Sequence, residues 1–215
     1  MTGTGRRVVL WRHGRTEWND VGRFQGQLDP PLDSVGRDQA IRSAPWIAAL
    51  RPALVLTSDL ARATATAAGL EDRVGLCAAP DKRLREIDLG SWQGLHRDEA
   101  RARFPEEWEA WNAGEDVRRG HGETYAEVAE RAVAAIGERL DLVPPGSSLV
   151  AVTHGGTARA VIGMLLDLDP ASWWRLGPLG NCHWSLLVDS GKGWRLVEHN
   201  TGVRPFPEGE RGDDR

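Results

Sequence analysis

Two continuous apolar runs, Val8-Val9-Leu10-Trp11 and Leu149-Val150-Ala151-Val152-Thr153, each break off at a histidine followed by glycine: His13-Gly14 and His154-Gly155-Gly156. Short runs without polar alternation are buried strands, predicted here over 7–11 and 148–153. A third run, Ala53-Leu54-Val55-Leu56-Thr57, predicts another. Between the first and third, 35–50 carries Ile41, Ile47 and Leu50 at helical spacing; Pro45 is expected to shift or kink that helix rather than abolish it. Residues 60–70 are alanine-rich and helical, with Ser58-Asp59 as the expected N-cap pair. Residues 76–79 suit a short edge strand, and 92–118 an irregular or short-helical stretch anchored by Trp92, Trp108 and Trp111.

Further along, 123–142 places Val128, Val133, Ile136 and Leu140 at helical intervals and stops at Pro144-Pro145-Gly146. A helix over 157–166 follows the 148–153 strand. Segments 181–188 and 194–198 then read as a hairpin around Asp189-Ser190-Gly191-Lys192-Gly193. Alternating strands and helices predict an α/β three-layer sandwich, with a mostly parallel central sheet and helices on both faces. One domain over 1–203 is expected, with a lid or insert at about 92–122. The tail 204–215, rich in Pro, Gly and charge, is expected to be disordered.

Composition narrows the function classes. The 215 residues carry a net charge of −4 and 40% hydrophobic content, which fits a soluble globular protein. Mild acidity argues against a nucleic-acid binder, which needs a basic stripe to neutralise phosphates. No apolar stretch approaches the length of a membrane span. Cys77 and Cys182 have neither the spacing of a zinc knuckle nor the number for a disulfide framework, which favours a reducing cytoplasm.

Candidate chemistry gathers at the strand ends. Open α/β sheets bind ligands in the crevice beyond the carboxyl ends of their strands. His13, with glycine after it, is expected to present an exposed imidazole able to attack phosphorus, its other nitrogen held by an acceptor such as a backbone carbonyl. Arg12 beside it offers a planar fork of donors to an oxyanion. Arg62 lies one turn into the helix after the 53–57 strand, where the helix dipole also favours an anion. His154 suits a charged donor to the same anion; as a zinc ligand it lacks a histidine or carboxylate at i+2 to i+4. Glu86, in Leu84-Arg85-Glu86-Ile87-Asp88-Leu89-Gly90, is the candidate proton donor, with Asp88 its competitor. Each of these residues also has a plainer reading as a surface ion pair, a loop carboxylate or a structural histidine. Two superficial motifs fail on context. His154-Gly155-Gly156 lacks the Gly-x-Ser-x-Gly elbow of lipases, and His96-Arg97-Asp98 has Arg103 where a kinase loop needs asparagine.

Arg12-His13-Gly14, the segment Ser58-Asp59-Leu60-Ala61-Arg62-Ala63-Thr64-Ala65-Thr66-Ala67, Glu86 and Thr153-His154-Gly155-Gly156 together resemble the histidine phosphatase superfamily, in its phosphoglycerate-mutase-like branch. The resemblance implies phosphorylation of His13, a phosphate pocket of Arg12, Arg62 and His154, and Glu86 as acid then base. It also implies Asn19 and Gln25 on the substrate side, with Gly155 in the second histidine turn. Neither metal nor organic cofactor is implied; the partner is a small phosphoester, and family members are often dimers. Glu86 and His154 stand 68 positions apart, without the longer insertion of the mutases, and no tyrosine follows soon after Glu86. The resemblance therefore favours a phosphatase over a phosphoglycerate mutase. Leu84-Arg85-Glu86, Gly90-Ser91-Trp92-Gln93-Gly94-Leu95 and Leu179-Gly180-Asn181 look similar to glucosyl-3-phosphoglycerate phosphatases, which implies a phosphorylated glycerate or sugar acid. Arg118-Arg119 fits a clamp for a substrate carboxylate or a solvated loop pair. A binding module without catalysis is the remaining alternative, although binding alone needs no Glu86.

Overall fold

β1 (Arg6–Arg12) and β4 (Ser148–Thr153) lie side by side in parallel, in a computed structural model that describes residues 5–203. The expectation of a disordered 204–215 falls outside those residues. The register pairs Arg12 with Thr153, so the next residue on each strand is a histidine. Six strands form one sheet in the order β3-β2-β4-β1-β5-β6, with β2 (Pro52–Thr57), β3 (Ala79–Pro80), β5 (Trp184–Asp189) and β6 (Trp194–Thr201). The mostly parallel expectation needs one qualification. β3, β2, β4 and β1 are mutually parallel, whereas β5 and β6 add an antiparallel hairpin beside β1. Chain order leaves β1 toward β2 and returns to β4 between them, so the crevice at the ends of β1 and β4 is a topological switch point.

Because alternate strand residues face opposite ways, the continuous apolar runs supply two cores. Val8, Leu10, Leu149 and Ala151 pack against α6 (Tyr125–Leu140) and α7 (Gly155–Leu165). Val9, Trp11, Val150 and Val152 pack against α2 (Ser34–Ala49) and α3 (Ala61–Val74). A third cluster, centred on fully buried Trp92, sits under α4 (Arg97–Arg103) and α5 (Pro105–Asn112). A short helix, α1 (Glu17–Asp20), follows the His13 turn.

Two local expectations are corrected. α2 continues through Pro45, as expected, but Ile41 faces out while Ala40, Ala44 and Ile47 face in. Asp59 does not cap α3; its carboxylate pairs with Arg85 at 2.7 and 2.6 Å. The cap comes from Asp29, far back in the sequence, whose oxygens accept from Ala61 N at 2.9 and 3.0 Å. The stretch expected to be irregular or short-helical contains two short helices, α4 and α5, the latter with Pro105 at its start.

Candidate active site

His13 is 3% exposed, against the exposed imidazole expected. The glycine after it serves close approach rather than a sharp turn, since a Cβ on Gly14 would lie 2.3 Å from the Gly36 carbonyl oxygen. His13 Nδ1 lies 2.7 Å from the Gly14 carbonyl, so Nδ1 carries the proton and Nε2 keeps its lone pair. The His154 ring is 5.1 Å away, centroid to centroid, tilted by 60°. Residues 141 positions apart thus share one pocket.

Arg62 organises that pocket. Fully buried, it donates Nε to His154 Nδ1 at 3.2 Å, Nη1 to Leu28 O at 2.7 Å and Nη2 to Gly26 O at 2.7 Å. Of the five N–H bonds of a guanidinium, those three orient the 24–29 loop and the second imidazole, and two remain for an anion. Burial lowers the Arg62 pKa to about 10, which leaves it cationic at neutral pH.

His154 is neutral, a correction to the charged donor expected. Burial first, then Arg62, His13 and Arg12, hold it well below the usual 6.5. With Nδ1 accepting from Arg62, its proton sits on Nε2, 2.9 Å from Ser58 Oγ. His13 is likewise lowered, by burial and then by Arg62 and Arg12. Arg12 anchors one guanidinium nitrogen on the Leu179 carbonyl, and a Cβ on Gly155 would lie 3.6 Å from its Cζ.

Two depressed imidazoles give a pH dependence with a definite sign. Unfolded histidines take up protons near pH 6.5 while the folded pair does not, so their stabilisation is complete above 6.5 and lost on acidification. The expected loss is about 1 kcal/mol per imidazole per pH unit below 6.5. Melting temperatures at pH 7.5, 6.5 and 5.5 check this; a melting temperature that is flat or rises on acidification contradicts it.

Glu86 projects into the start of α7. Its Oε2 accepts from Gly156 N at 3.1 Å, and its Oε1 from Thr157 N at 3.0 Å and Ile87 N at 2.9 Å. Ala158 N donates to His154 O, which leaves the Gly155 N–H of that first turn for an anion. Arg131 holds the backbone around Glu86, donating to the carbonyls of Arg83, Arg85 and Glu86, and Glu123 grips Arg131 in turn. The competitor Asp88 turns back onto Gly90 N at 2.8 Å. A Cβ at Gly156 would meet Glu86 Oε1 at 2.7 Å, so Gly156→Ala pushes the carboxylate aside. Displacement by about 1 Å costs up to roughly 100-fold in rate, while alanine suits a helix better than glycine. The expected result is a fall in kcat with the melting temperature kept; an unchanged kcat removes Glu86 from its assigned place.

Asn19 and Gln25 complete the mouth. Asn19 Oδ1 accepts from Thr16 N, Thr16 Oγ1 and Asn181 Nδ2, at 3.1, 3.1 and 3.2 Å, which turns its NH2 group away from the cap as a donor. Gln25 is nearly buried, and its Oε1 has no partner. Sequence reasoning missed two members. Ser58 was read as a cap but touches His154, and Asn181 bridges His13 O at 3.1 Å to Asn19. The Leu179-Gly180-Asn181 likeness was the only signal for the latter. Arg118 and Arg119 part company: Arg118 is exposed and paired with Glu127, whereas Arg119 is buried between Trp111 and Tyr125. Trp92 is core, and Arg23 lies over the Trp18 ring at 5.5 Å.

Two strand-end imidazoles, a buried arginine bonded to one of them and a carboxylate on a helix start share one pocket. The chain belongs to the histidine phosphatase superfamily (branch 1), whose family model matches residues 8–202, and it is a phosphatase. It is 39% identical over 189 residues to glucosyl-3-phosphoglycerate phosphatase of Mycobacterium tuberculosis, covering 85% of each chain. It is 39% identical over 180 residues to a probable phosphoglycerate mutase of Cronobacter sakazakii, covering 81% of each. A solved mycobacterial glucosyl-3-phosphoglycerate phosphatase with VO3 superposes with a TM-score of 0.85 at 38% identity, over 92% of this chain and all of that one. No helix among the described residues is long and apolar enough to cross a membrane.

Proposed function

We propose that the enzyme hydrolyses a small phosphorylated glycerate or sugar acid through a phosphohistidine at His13. The 5.1 Å spacing of the His13 and His154 rings, with Arg62 tied to one of them, carries this reading. The phosphate rests among Arg12, Arg62, Asn19 and the Gly155 N–H, donors held in place before charge shifts, with the neutral His154 ring alongside. His13 Nε2 attacks phosphorus in line; the P–O ester bond breaks, and the departing alkoxide takes the proton of the Glu86 carboxyl. Water then attacks the phosphohistidine and gives its proton to the Glu86 carboxylate. The N–P bond breaks, returning neutral His13 and inorganic phosphate. No metal enters these steps.

Gln25 Oε1, a buried acceptor without a partner, suits a hydroxyl of the leaving group. The relatives named glucosyl-3-phosphoglycerate phosphatase support that substrate class. Residues 92–122 form the cover of this site within one domain, with Glu107 joining Trp92 Nε1 to Gly120 N at 3.0 and 2.6 Å. Two free cysteines, Cys77 exposed and Cys182 buried, favour a cytoplasmic setting.

The test measures phosphate release from glucosyl-3-phosphoglycerate, 2- and 3-phosphoglycerate and sugar phosphates, alongside labelling with radioactive phosphoester. Phosphate release with an acid-labile label on His13 is expected. Interconversion of the phosphoglycerates, primed by a bisphosphoglycerate, makes the enzyme a mutase instead. Absence of any label removes the covalent step.

A further inference from the structure

We propose that a cavity between α5, α6, α7 and the Pro170–Arg175 turn is a second ligand site, one that takes a small organic monoanion: a carboxylate on a flat or apolar body. Buried polar atoms in folded proteins are almost always hydrogen-bonded, so those without partners mark places where a ligand or water belongs. Gln25 Oε1, at the catalytic mouth, is one such atom. Three others lie elsewhere: Arg119 Nε, Arg119 Nη2 and Arg159 Nε.

Those three adjoin one pair of rings. Arg159 lines a cavity of about 40 Å³ together with Trp111, Tyr125, Trp173, Trp174 and Glu115. Arg119 is 3% exposed, and its Cζ lies 5.3 Å from the Trp111 ring and 5.0 Å from the Tyr125 ring. The Arg159 guanidinium in the wall, with its Nε–H unpartnered, calls for an oxyanion, and Arg119 behind the Trp111 and Tyr125 rings adds a second positive charge nearby. The cavity exceeds the ~10–15 Å³ that a single water requires. It fits a carboxylate head whose body lies against the tryptophans, of which Trp174 is 58% exposed at the rim.

Charge on the same wall selects among anions. Asp116 also lines the cavity, but its oxygens are occupied by Tyr125 N at 2.6 Å and Ala126 N at 3.0 Å. Glu115 lines the same cavity and adds a negative charge to its wall. That charge repels a phosphate dianion more strongly than a monoanion. The catalytic pocket is built from the ends of β1 and β4 and the starts of α3 and α7, so this cavity is separate from it and does not rest on the phosphatase reading.

The probe is benzoate, with benzamide as its neutral isostere, titrated into the full-length enzyme in saturating inorganic phosphate. The readout is the arginine Nε–H cross-peaks in nitrogen–proton spectra. Saturable shifts with benzoate are expected, at least roughly tenfold weaker binding of benzamide, and roughly tenfold weaker benzoate binding in Arg159→Met with phosphatase activity kept. Should Arg159→Met fold poorly, Trp174→Ala at the exposed rim is expected to weaken benzoate while leaving benzamide the poorer ligand. Lack of saturation, equal affinity for the two probes, or variants that bind as the unmodified enzyme does each overturn the proposal. So does benzoate binding that is seen only when phosphate is left out, which would locate it in the catalytic pocket.

Discussion

His13→Ala is expected to lower phosphate release by roughly four to six orders of magnitude in kcat while the protein keeps its fold. The magnitude follows from the position of the ring. Its Nδ1 proton is fixed by the Gly14 carbonyl, which leaves Nε2 its lone pair, and burial with two neighbouring arginines keeps it unprotonated. No other described nucleophile is so placed: His154 already donates Nε2–H toward Ser58 and accepts from Arg62 on its other nitrogen. Far-UV circular dichroism and a melting curve establish folding, and phosphate release measures the loss. An alanine variant that turns over within tenfold of the parent ends the nucleophile assignment.

Arg62→Lys gives the second-largest effect. Lysine keeps the charge but not the planar fork, so the carbonyls of Gly26 and Leu28 and His154 Nδ1 lose a shared partner at once. kcat/KM is expected to fall by roughly 100- to 1,000-fold. Hydrogen exchange at Gln27 and Leu28 is expected to quicken, because the 24–29 loop hangs on Arg62 and on the Asp29 contact with Ala61. A purely electrostatic role predicts a mild loss and an unaltered loop. Unchanged exchange alongside a large loss in rate would instead assign Arg62 to the phosphate alone.

The parts of the fold legible in the sequence were those with unambiguous local patterns. β4 runs over Ser148–Thr153, as its unbroken apolar run indicates, and the β5–β6 hairpin surrounds the turn marked by Asp189 to Gly193. The bounds of α4 and α5 inside the short-helical stretch were not legible, because their burial comes from a handful of aromatic anchors rather than a repeating stripe. Asp59 misled because a carboxylate before a helix reads as a cap, whereas Arg85, remote in sequence, claims it with two short bonds. The outward Ile41 shows the same limit, since the face of α2 that turns inward is chosen by neighbours and not by the most apolar residue.

By itself the sequence determined which strands end in His13 and His154, which arginines and carboxylate stand near strand ends, and that an oxyanion is the natural guest. Those are properties of short segments, where propensity and side-chain chemistry are local. Only tertiary structure decided that β1 lies against β4 in the register that joins the imidazoles, that Asp29 caps α3, and that Asn181 ties His13 to Asn19. It likewise decided that both imidazoles are neutral. Desolvation and hydrogen-bond partnership depend on atoms brought together from distant parts of the chain, and no local window of residues contains them.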